Sequence, residues 1–398
     1  MPGYELFGDA ERKEVNDVLA TGIIPRYGFE AARKGLWKAA DLEAAICKTF
    51  GCSYALLTTS GTTALTTALA ALGIGAGDEV IIPTFCFVAN FEAIVGLGAI
   101  PVFADVDETL GLVPSSVEDA ITGHTKAIMP VHMCGGMARM DEIKAICDQH
   151  NILLLEDACL AAGARYKGKS VGTMGHAGVY SFDISKMITC GEGGAVITND
   201  EEVYKRARQF SDHGHDHINK DRTADPHSYL GYNYRITELH AAVGLAQIRR
   251  LNEFLSIQLR NHDIIYNAIK DIAGISFRSI PDPDGNTGAY LSFFLPGEEM
   301  ARRAFEEIRS AGIKGIHYWY ENNWHYIGRW QHLQSGSWMH KLYDEQKLGV
   351  LHYSNQAFPM SDAVMTRCLS IGISLLWDEA MAQETGQKIA TILRKIIA

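Results

Sequence analysis

Three stretches of the sequence carry residue types that could act together on one ligand. The first, Thr59-Ser60-Gly61-Thr62-Thr63, lies between an apolar run and a helical pattern. Small residues at a helix start let free backbone N–H groups approach an anion, and the helix dipole favours negative charge there. A serine in this place is also the usual N-cap of a helix. The stretch therefore leaves phosphate binding and simple capping open.

The second stretch is the acid pair Glu156-Asp157, which closes the apolar run ILLLED. Burying a carboxylate is costly unless a partner compensates its charge. A protonated ring nitrogen would be such a partner. The alternative is that one of the two acids caps the helix that follows.

The third stretch is SFDISKMITCGEGG, residues 181–194, in which Lys186 follows an apolar strand and precedes a glycine-rich turn. Burial lowers the pKa of a lysine and makes the neutral amine a usable nucleophile. The alternative is an ordinary solvated lysine beside a common kind of turn.

A phosphate cradle, a buried acid and a nucleophilic lysine are together what pyridoxal 5′-phosphate needs. Asp157 would keep the ring nitrogen protonated, so that the ring withdraws electrons from the reacting carbon. Lys186 would bind the cofactor and, once displaced by an amino donor, move a proton. The three stretches predict a pyridoxal-phosphate enzyme with Lys186 and Asp157 as catalytic residues. Its cofactor-binding residues would include Ser60, Gly61 and Thr62.

The elements that must position these residues alternate between strands and helices. The predicted strands cover residues 54–59, 79–84, 100–106, 126–131, 152–157, 178–182 and 194–199. Several are apolar almost throughout, as strands covered on both faces are, and helical patterns such as 62–72 and 140–150 fit between them. This order predicts an α/β fold with a mostly parallel seven-stranded sheet between helices. Ligands of such sheets bind at the carboxyl ends of the strands.

The pattern changes after about residue 245. Residues 245–270 read as one long helix, and a strand at 291–295 and a helix at 297–312 follow it. We expect a large cofactor-binding domain over residues 1–250, which includes an N-terminal helical segment. A smaller C-terminal α/β domain would cover residues 251–398.

Composition limits the class of protein. The 398 residues are 47% hydrophobic and 21% charged, with a net charge of −11. This is a globular composition, and its acidic balance argues against a nucleic-acid partner. No run is long and apolar enough to cross a bilayer, and the start MPGYELFGDAERKEV lacks the pattern of a secretory signal. We expect a cytoplasmic protein with no membrane partner and with reduced cysteines.

The run SFDISKMITCGEGGAVIT resembles the lysine motif of the DegT/DnrJ/EryC1/StrS sugar aminotransferases, which have the type I fold of pyridoxal-phosphate enzymes. SGTTAL, PTFCFVANFEAI and EDACLAAGARYKGKSVG are similar to further segments of that family, and the resemblance extends from about residue 40 to 250. It implies that Lys186 binds the cofactor, that Asp157 pairs with the ring nitrogen and that Phe87 covers the ring. The phosphate ligands that it implies are Ser181, Gly61 and Thr62.

The segment GYNYRITELHAAVGLAQI contains Asn233 and is similar to a family segment that reaches the cofactor phosphate of the neighbouring subunit. The resemblance thus implies a homodimer with shared active sites. Two features depart from the family pattern. Relatives usually carry His or Gln three residues after the ring-nitrogen Asp, where this chain has Leu160, which cannot form a hydrogen bond. The front segment, residues 20–37, is longer than the common pattern.

The segment GIHYWYENNWHYIGRWQHL, residues 315–333, is unusually aromatic. Such residues fill cores and dimer contacts, or they bind the apolar faces and hydroxyls of a sugar, and both possibilities stay open. In overall likeness the chain resembles the family branch that aminates C8 of 3,8-dideoxy-8-oxo-manno-octulosonate for lipopolysaccharide. We therefore expect transfer of an amino group from glutamate to that sugar.

Alternative functions come from the same family and from other classes. A nucleotide-linked keto-hexose is an alternative acceptor. The sugar dehydratases of the family resemble this chain but carry His at the lysine position, so Lys186 argues against them. A cysteine desulfurase, an amino-acid lyase and a cofactor-free regulator on the same fold are further alternatives.

Two further sets of residues have candidate roles. The candidates for binding the carboxylate of the amino donor are Arg26, Tyr320 and His325. The histidines of HGHDH, which are His213, His215 and His217, have poor spacing for a metal without further ligands. We expect a polar loop there and no metal site.

Overall fold

The structure is a computed structural model, and it describes residues 3–219, 221–335 and 357–398. Its strands are β1 Tyr54–Thr58, β2 Glu79–Pro83, β3 Ile100–Ala104, β4 Thr125–Ile128, β5 Leu153–Asp157, β6 Arg165–Tyr166, β7 Lys169–Ser170, β8 Ala177–Ser181, β9 Gly194–Thr198, β10 Ser276–Phe277, β11 Tyr290–Phe294, β12 Ile316–Tyr318 and β13 Cys368–Gly372. Its α-helices are α1 Asp9–Thr21, α2 Glu30–Arg33, α3 Lys38–Phe50, α4 Gly61–Ala71, α5 Val88–Gly96, α6 Pro114–Asp119, α7 Met140–His150, α8 Glu201–Ser211, α9 Glu238–Ile248, α10 Leu251–Ile269, α11 Glu298–Ser310, α12 Gln331–Ser335, α13 Pro359–Met365 and α14 Glu379–Ile397.

The larger sheet has seven strands in the order β1-β9-β8-β5-β4-β2-β3. From β8 to β3 every pair of neighbours is parallel, whereas β9 runs antiparallel to both β1 and β8. The prediction of a mostly parallel seven-stranded sheet is confirmed, and each predicted strand corresponds to one observed strand. Strands β2, β8 and β9 are buried at every residue because helices cover the sheet.

A second, antiparallel sheet has the order β10-β11-β13-β12. Helices α10, α11 and α14 pack beside it around an apolar cluster that includes Ile265, Phe293, Ile308 and Leu393. These elements follow residue 250, but the division of the chain into two domains at that residue stays a prediction.

The single helix predicted over residues 245–270 is wrong, because the structure breaks it. Helix α9 ends at Ile248 and α10 begins at Leu251. The two arginines between them bind the N-terminal segment. Arg249 pairs with Glu14 at 2.7 Å, and Arg250 donates a hydrogen bond to the backbone oxygen of Leu6 at 2.6 Å. These tertiary contacts interrupt a pattern that looks continuous in sequence.

One edge of the larger sheet collects the residues with predicted chemistry. Gly194, at the start of β9, pairs with Thr58 at the end of β1 and with Ser181 at the end of β8. A Cβ on Gly194 would lie 2.2 Å from the backbone oxygen of Ser60, so only glycine lets the turn before α4 come this close. Strand β5 ends at Asp157 on the same edge, because parallel strands share their carboxyl edge.

In the part of the chain that the structure describes, no helix combines the length and the apolar character needed to cross a bilayer. All eight cysteines are free thiols, and most of them are buried.

Candidate active site

A cavity of about 590 Å³ lies at this edge of the larger sheet. Every predicted site residue except Asn233 lines it. These residues are Ser60, Gly61, Thr62, Phe87, Asp157, Ser181 and Lys186. The three stretches singled out for their chemistry therefore meet in one place.

One end of the cavity is formed by the start of α4 beside Ser181. Ser60 caps the helix, since its Oγ accepts a hydrogen bond from the Thr63 N–H at 3.1 Å. The N–H groups of Gly61 and Thr62 donate to no acceptor among the described residues. A Cβ on Gly61 would be 2.8 Å from the Cβ of Ser181. Capping and anion binding are thus compatible here, because the cap leaves two N–H groups free.

The Asp157 carboxylate is buried at another part of the cavity wall. Its Oδ1 accepts a hydrogen bond from the Cys159 N–H at 2.9 Å, and its Oδ2 accepts one from Asn90 Nδ2 at 2.7 Å. It forms no ion pair within the described ranges. Burial and the nearby charge of Asp157 raise the pKa of the Cys159 thiol well above its ordinary value. The carboxylate thus has room for a cationic partner.

The neighbouring acid, Glu156, has a different role. It is fully buried and accepts hydrogen bonds from the N–H groups of Gly172, Met174 and Gly175 at 2.6 to 2.7 Å. His132 Nε2 lies 3.1 Å from the same carboxylate. The sequence left two roles open for the acid pair, which were pairing with a ring nitrogen and capping the following helix. Glu156 has neither role, because it binds the loop over residues 172–175.

Lys186 is half-buried and lines the cavity next to Phe87. Its Nζ lies 6.0 Å from the centroid of the Phe87 ring. The backbone oxygen of Lys186 accepts a hydrogen bond from the Gly3 N–H at 2.9 Å, so the N-terminal segment anchors the lysine turn. Phe87 itself comes directly before α5, in an extended conformation that turns the chain from β2 into the helix.

The aromatic segment 315–333 serves both purposes that its sequence left open. His317, Trp319, Asn322, Trp324 and His325 line the cavity, whereas Tyr318, Tyr326 and Trp330 are buried in the cores. The segment pairs with the chain beside Phe87 through backbone hydrogen bonds. The Cys86 N–H donates to His325 O at 3.0 Å, and the Val88 N–H donates to Trp324 O at 2.8 Å.

Both cavity histidines are held in the neutral form. Burial, with a smaller effect from the Lys186 charge, lowers the pKa of His325 to about 3. Burial lowers the pKa of His317 to about 4. His325 Nδ1 lies 3.0 Å from Asn322 Oδ1, and since an amide oxygen only accepts, the hydrogen is on Nδ1. Nε2 of His325 is therefore an acceptor.

Comparison with known families fits this geometry. The DegT/DnrJ/EryC1/StrS aminotransferase family matches the chain over residues 8–394. The chain belongs to this family. Aminotransferases of the DegT/DnrJ/EryC1/StrS family depend on pyridoxal phosphate.

Relatives with curated names cover part of the chain. GDP-perosamine synthase of Caulobacter vibrioides is 41% identical over 221 residues, which are 55% of this chain and 58% of the relative. GDP-perosamine synthase of Escherichia coli O157:H7 is 42% identical over 223 residues, which are 56% of this chain and 60% of the relative. The chain thus matches about three fifths of the length of these relatives. The solved structure of 3-amino-5-hydroxybenzoic acid synthase is similar to this chain, with a TM-score of 0.81 and 29% sequence identity. The match covers 98% of this chain and 97% of the synthase chain.

The cavity fits the cofactor of the DegT/DnrJ/EryC1/StrS family in two respects. Asp157 is a buried carboxylate without a cation, which suits a protonated ring nitrogen. The free N–H groups of Gly61 and Thr62, at the positive end of α4, suit a phosphate. Ser181 would add a hydroxyl to that end, and Lys186 would bind the aldehyde carbon.

Asn233 lies outside the cavity of its own chain. Its backbone pairs with Asp212 in an isolated bridge, and the side chain is exposed. Its Oδ1 accepts a hydrogen bond from the Arg235 N–H at 3.4 Å. Its contact with the cofactor of a second subunit stays a prediction.

The three residues predicted as candidates for binding the carboxylate of the amino donor lie in different places. Arg26 is buried in an ion pair with Glu43 at 2.6 Å and does not line the cavity. Tyr320 is outside the cavity wall as well. His325 lines the wall, but it is neutral and offers no positive charge to a carboxylate.

The histidine-rich loop forms a network of polar contacts. Arg222 donates two hydrogen bonds to the buried Asp212 at 2.7 and 2.8 Å. His215 Nδ1 lies 3.2 Å from Asp225, and burial lowers the pKa of His217 to about 4. Across residues 3–219, 221–335 and 357–398, no group of three or more His, Cys, Asp or Glu side chains is arranged to hold a metal ion.

Sequence analysis missed Asn90, which contacts Asp157 in the cavity wall. A signal was present, because Asn90 is a polar residue in the otherwise apolar start of α5. Its partner, however, is 67 residues away in the chain. Only the fold shows that the two side chains meet.

Proposed function

We propose that the chain is a pyridoxal-phosphate-dependent aminotransferase that moves an amino group from an amino acid to a carbonyl-bearing sugar. The observation that carries this proposal is the meeting of Lys186, Asp157 and the start of α4 in one cavity. Membership of the DegT/DnrJ/EryC1/StrS family supports it. Lys186 favours transamination over dehydration, because the related dehydratases carry His at this position.

Asp157 and Lys186 have defined tasks in this reaction. When bound, the cofactor supplies an aldehyde carbon that forms a bond to nitrogen and a ring that withdraws electrons. Asp157 holds the proton on the ring nitrogen, because its buried carboxylate has no other cation. Lys186 Nζ accepts a proton from the α carbon of the amino donor and later returns one to the product. Glutamate leaves as 2-oxoglutarate, whose ketone oxygen comes from water. Its nitrogen passes to the sugar carbon, and the oxygen of the sugar carbonyl leaves as water.

The acceptor in this proposal is C8 of 3,8-dideoxy-8-oxo-manno-octulosonate, a precursor for lipopolysaccharide, and the donor is glutamate. The aromatic wall from segment 315–325 suits the apolar face of a sugar. Among the described residues that line the cavity, Lys186 is the one cation, while the acids are Glu92, Asp157, Asp183 and Glu192. This balance favours an acceptor with a single carboxylate over one with a more highly charged diphosphate.

A nucleotide-linked keto-hexose is the second candidate acceptor, because two relatives carry the name GDP-perosamine synthase. The experiment incubates the enzyme with glutamate and each sugar in turn, and measures the amino sugar by mass spectrometry. The octulosonate should give the higher kcat/KM. Turnover of the nucleotide-linked sugar alone would contradict the first choice and leave the aminotransferase activity intact.

The donor half of the reaction can be tested at Lys186. Glutamate alone should change the visible absorbance of the bound cofactor and release 2-oxoglutarate. Lys186→Ala should lower turnover by about 10²–10⁴-fold or more, because the proton-transfer group is lost. Lys144→Ala is the control, since Lys144 is an exposed lysine on α7 that pairs with Asp148.

Borohydride reduction tests the covalent attachment. It should fix the cofactor to the peptide that contains Lys186, which peptide mapping would locate. A label on another lysine would contradict the assignment. A spectrum that neither glutamate nor other amino acids change would contradict the donor half.

The active enzyme in this proposal is a homodimer. The segment 229–233 exposes large apolar side chains, with Tyr229 63% and Leu230 78% exposed. Exposed apolar groups of this kind are typical of protein interfaces. Asn233 belongs to the same segment, so a second subunit that covers the segment would also bring Asn233 towards a cavity.

A further inference from the structure

Asn90 is a buried polar residue in the first turn of α5. Its side chain is fully buried and lines the cavity. Nδ2 donates a hydrogen bond to Asp157 Oδ2 at 2.7 Å and faces Met129 Sδ at 3.9 Å. Oδ1 is buried and accepts no hydrogen bond from the described residues. Burying an amide oxygen without a donor is costly, so this arrangement needs an explanation.

The Asp157 carboxylate fixes the orientation of this amide. A carboxylate only accepts hydrogen bonds, so the NH₂ group of Asn90 must face it and the carbonyl oxygen is left over. Asp157, which the amide orients, lacks a cation among the described residues. A protonated ring nitrogen in the cavity would supply it.

Leu160 makes the contribution of Asn90 more important. It lies three residues after Asp157 and lines the same cavity, but it can neither donate nor accept a hydrogen bond. The other donor to Asp157 is the backbone N–H of Cys159, which a residue of almost any type would supply. Within the described part of the chain, Asn90 is thus the side chain that orients the carboxylate.

We propose that Asn90 is a positioning residue for the cofactor ring. Its amide orients the Asp157 carboxylate towards the ring nitrogen. This inference rests on the proposed function, because it concerns the same cavity. Asn90 thereby supplies a hydrogen-bonding side chain near the ring, which Leu160 cannot supply.

The test compares the wild-type enzyme with two variants. Asn90→Leu keeps a similar volume without the amide, and Asn90→Thr restores a hydroxyl that can donate to Asp157. We expect Asn90→Leu to raise the Kd for pyridoxal phosphate at least about tenfold. In the holoenzyme, solid-state NMR with ¹⁵N in the ring should show a shift from the protonated towards the unprotonated form. Asn90→Thr should keep the protonated signal.

A purely structural asparagine would give a different result. Asn90→Leu would then lower the unfolding temperature of the cofactor-free and cofactor-loaded enzyme equally, and the ring nitrogen signal would not change. That result would overturn the inference while the wild-type enzyme still binds its cofactor. Failure of the proposed function is distinguishable, because the wild-type enzyme itself would then bind no pyridoxal phosphate and give no borohydride label at Lys186.

Discussion

At the scale of single residues, Gly61 and Ser181 show how closely the cavity is built. A Cβ atom added to Gly61 would lie 2.8 Å from Ser181 Cβ and 2.9 Å from Ser181 Oγ. Contacts below 3.0 Å are not found for real Cβ atoms, so something would have to move. The close approach of the helix start to the Ser181 hydroxyl therefore depends on the missing side chain.

We expect Gly61→Ala to raise the Kd for pyridoxal phosphate by about tenfold or more, because the added methyl group pushes the helix start away from Ser181. Absorbance titration of the cofactor-free enzyme measures this. The double variant Gly61→Ala/Ser181→Gly removes the clashing atoms. Its loss of binding free energy for pyridoxal phosphate should be smaller than the sum of the losses in the two single variants. An unchanged Kd for pyridoxal phosphate in Gly61→Ala would contradict a phosphate site between the start of α4 and Ser181.

The sequence revealed residues with local signals and missed those without them. Lys186 and Gly61 lie in motifs of neighbouring residues, so their types and spacing were enough to predict a site. Asn90 contributes through a single long-range hydrogen bond to Asp157. Glu156 looked equivalent to its neighbour because the sequence does not show which side of the sheet each acid faces.

At the scale of elements, the end of β5 carries two acids with separate tasks. Successive side chains of a strand point to opposite faces. Asp157 accordingly lines the cavity, whereas Glu156 binds three backbone N–H groups of the loop 172–175. That loop leads into β8, which ends at Ser181. Glu156 thus fixes the position of a strand that carries part of the site.

Glu156→Gln should therefore destabilise the fold. Its NH₂ group would face N–H donors in a buried place, and we expect a loss of about 2–4 kcal/mol in the free energy of unfolding. Thermal or denaturant unfolding measures it. Glu384→Gln is the control, because Glu384 is exposed on α14 and pairs with Lys388. Equal unfolding curves for the two variants would contradict the structural role of Glu156.

The pattern of elements was largely predictable, and its failures have physical causes. Apolar runs bounded by turns marked all seven strands of the larger sheet. Strand direction was not predictable, because a run of apolar residues reads the same in a parallel or an antiparallel strand, and β9 is reversed. The hairpin of β6 and β7 has strands of two residues each, which are too short to form a pattern.

At the scale of the whole molecule, the dimer prediction concerns the exposed segment 229–233. Leu230→Asp should shift the enzyme towards the monomer, because a charge placed in an apolar interface is costly. Sedimentation velocity measures the change, and cofactor affinity should fall with it, since Asn233 would no longer reach a second cavity. Leu376→Asp is the matched control, because Leu376 is 58% exposed elsewhere on the molecule. A wild-type monomer with full activity would contradict the proposal.

The backbone pairing between residues 324–327 and 84–88 has a consequence for changing what the enzyme accepts. Main-chain hydrogen bonds do not depend on side-chain identity, so this pairing survives a replacement of Trp324. The Phe87 ring, however, stacks on the Trp324 indole, with ring centroids 5.6 Å apart. Evolution, or a protein engineer, that changes Trp324 to alter the acceptor of the proposed reaction thus also changes the support of the ring predicted to cover the cofactor.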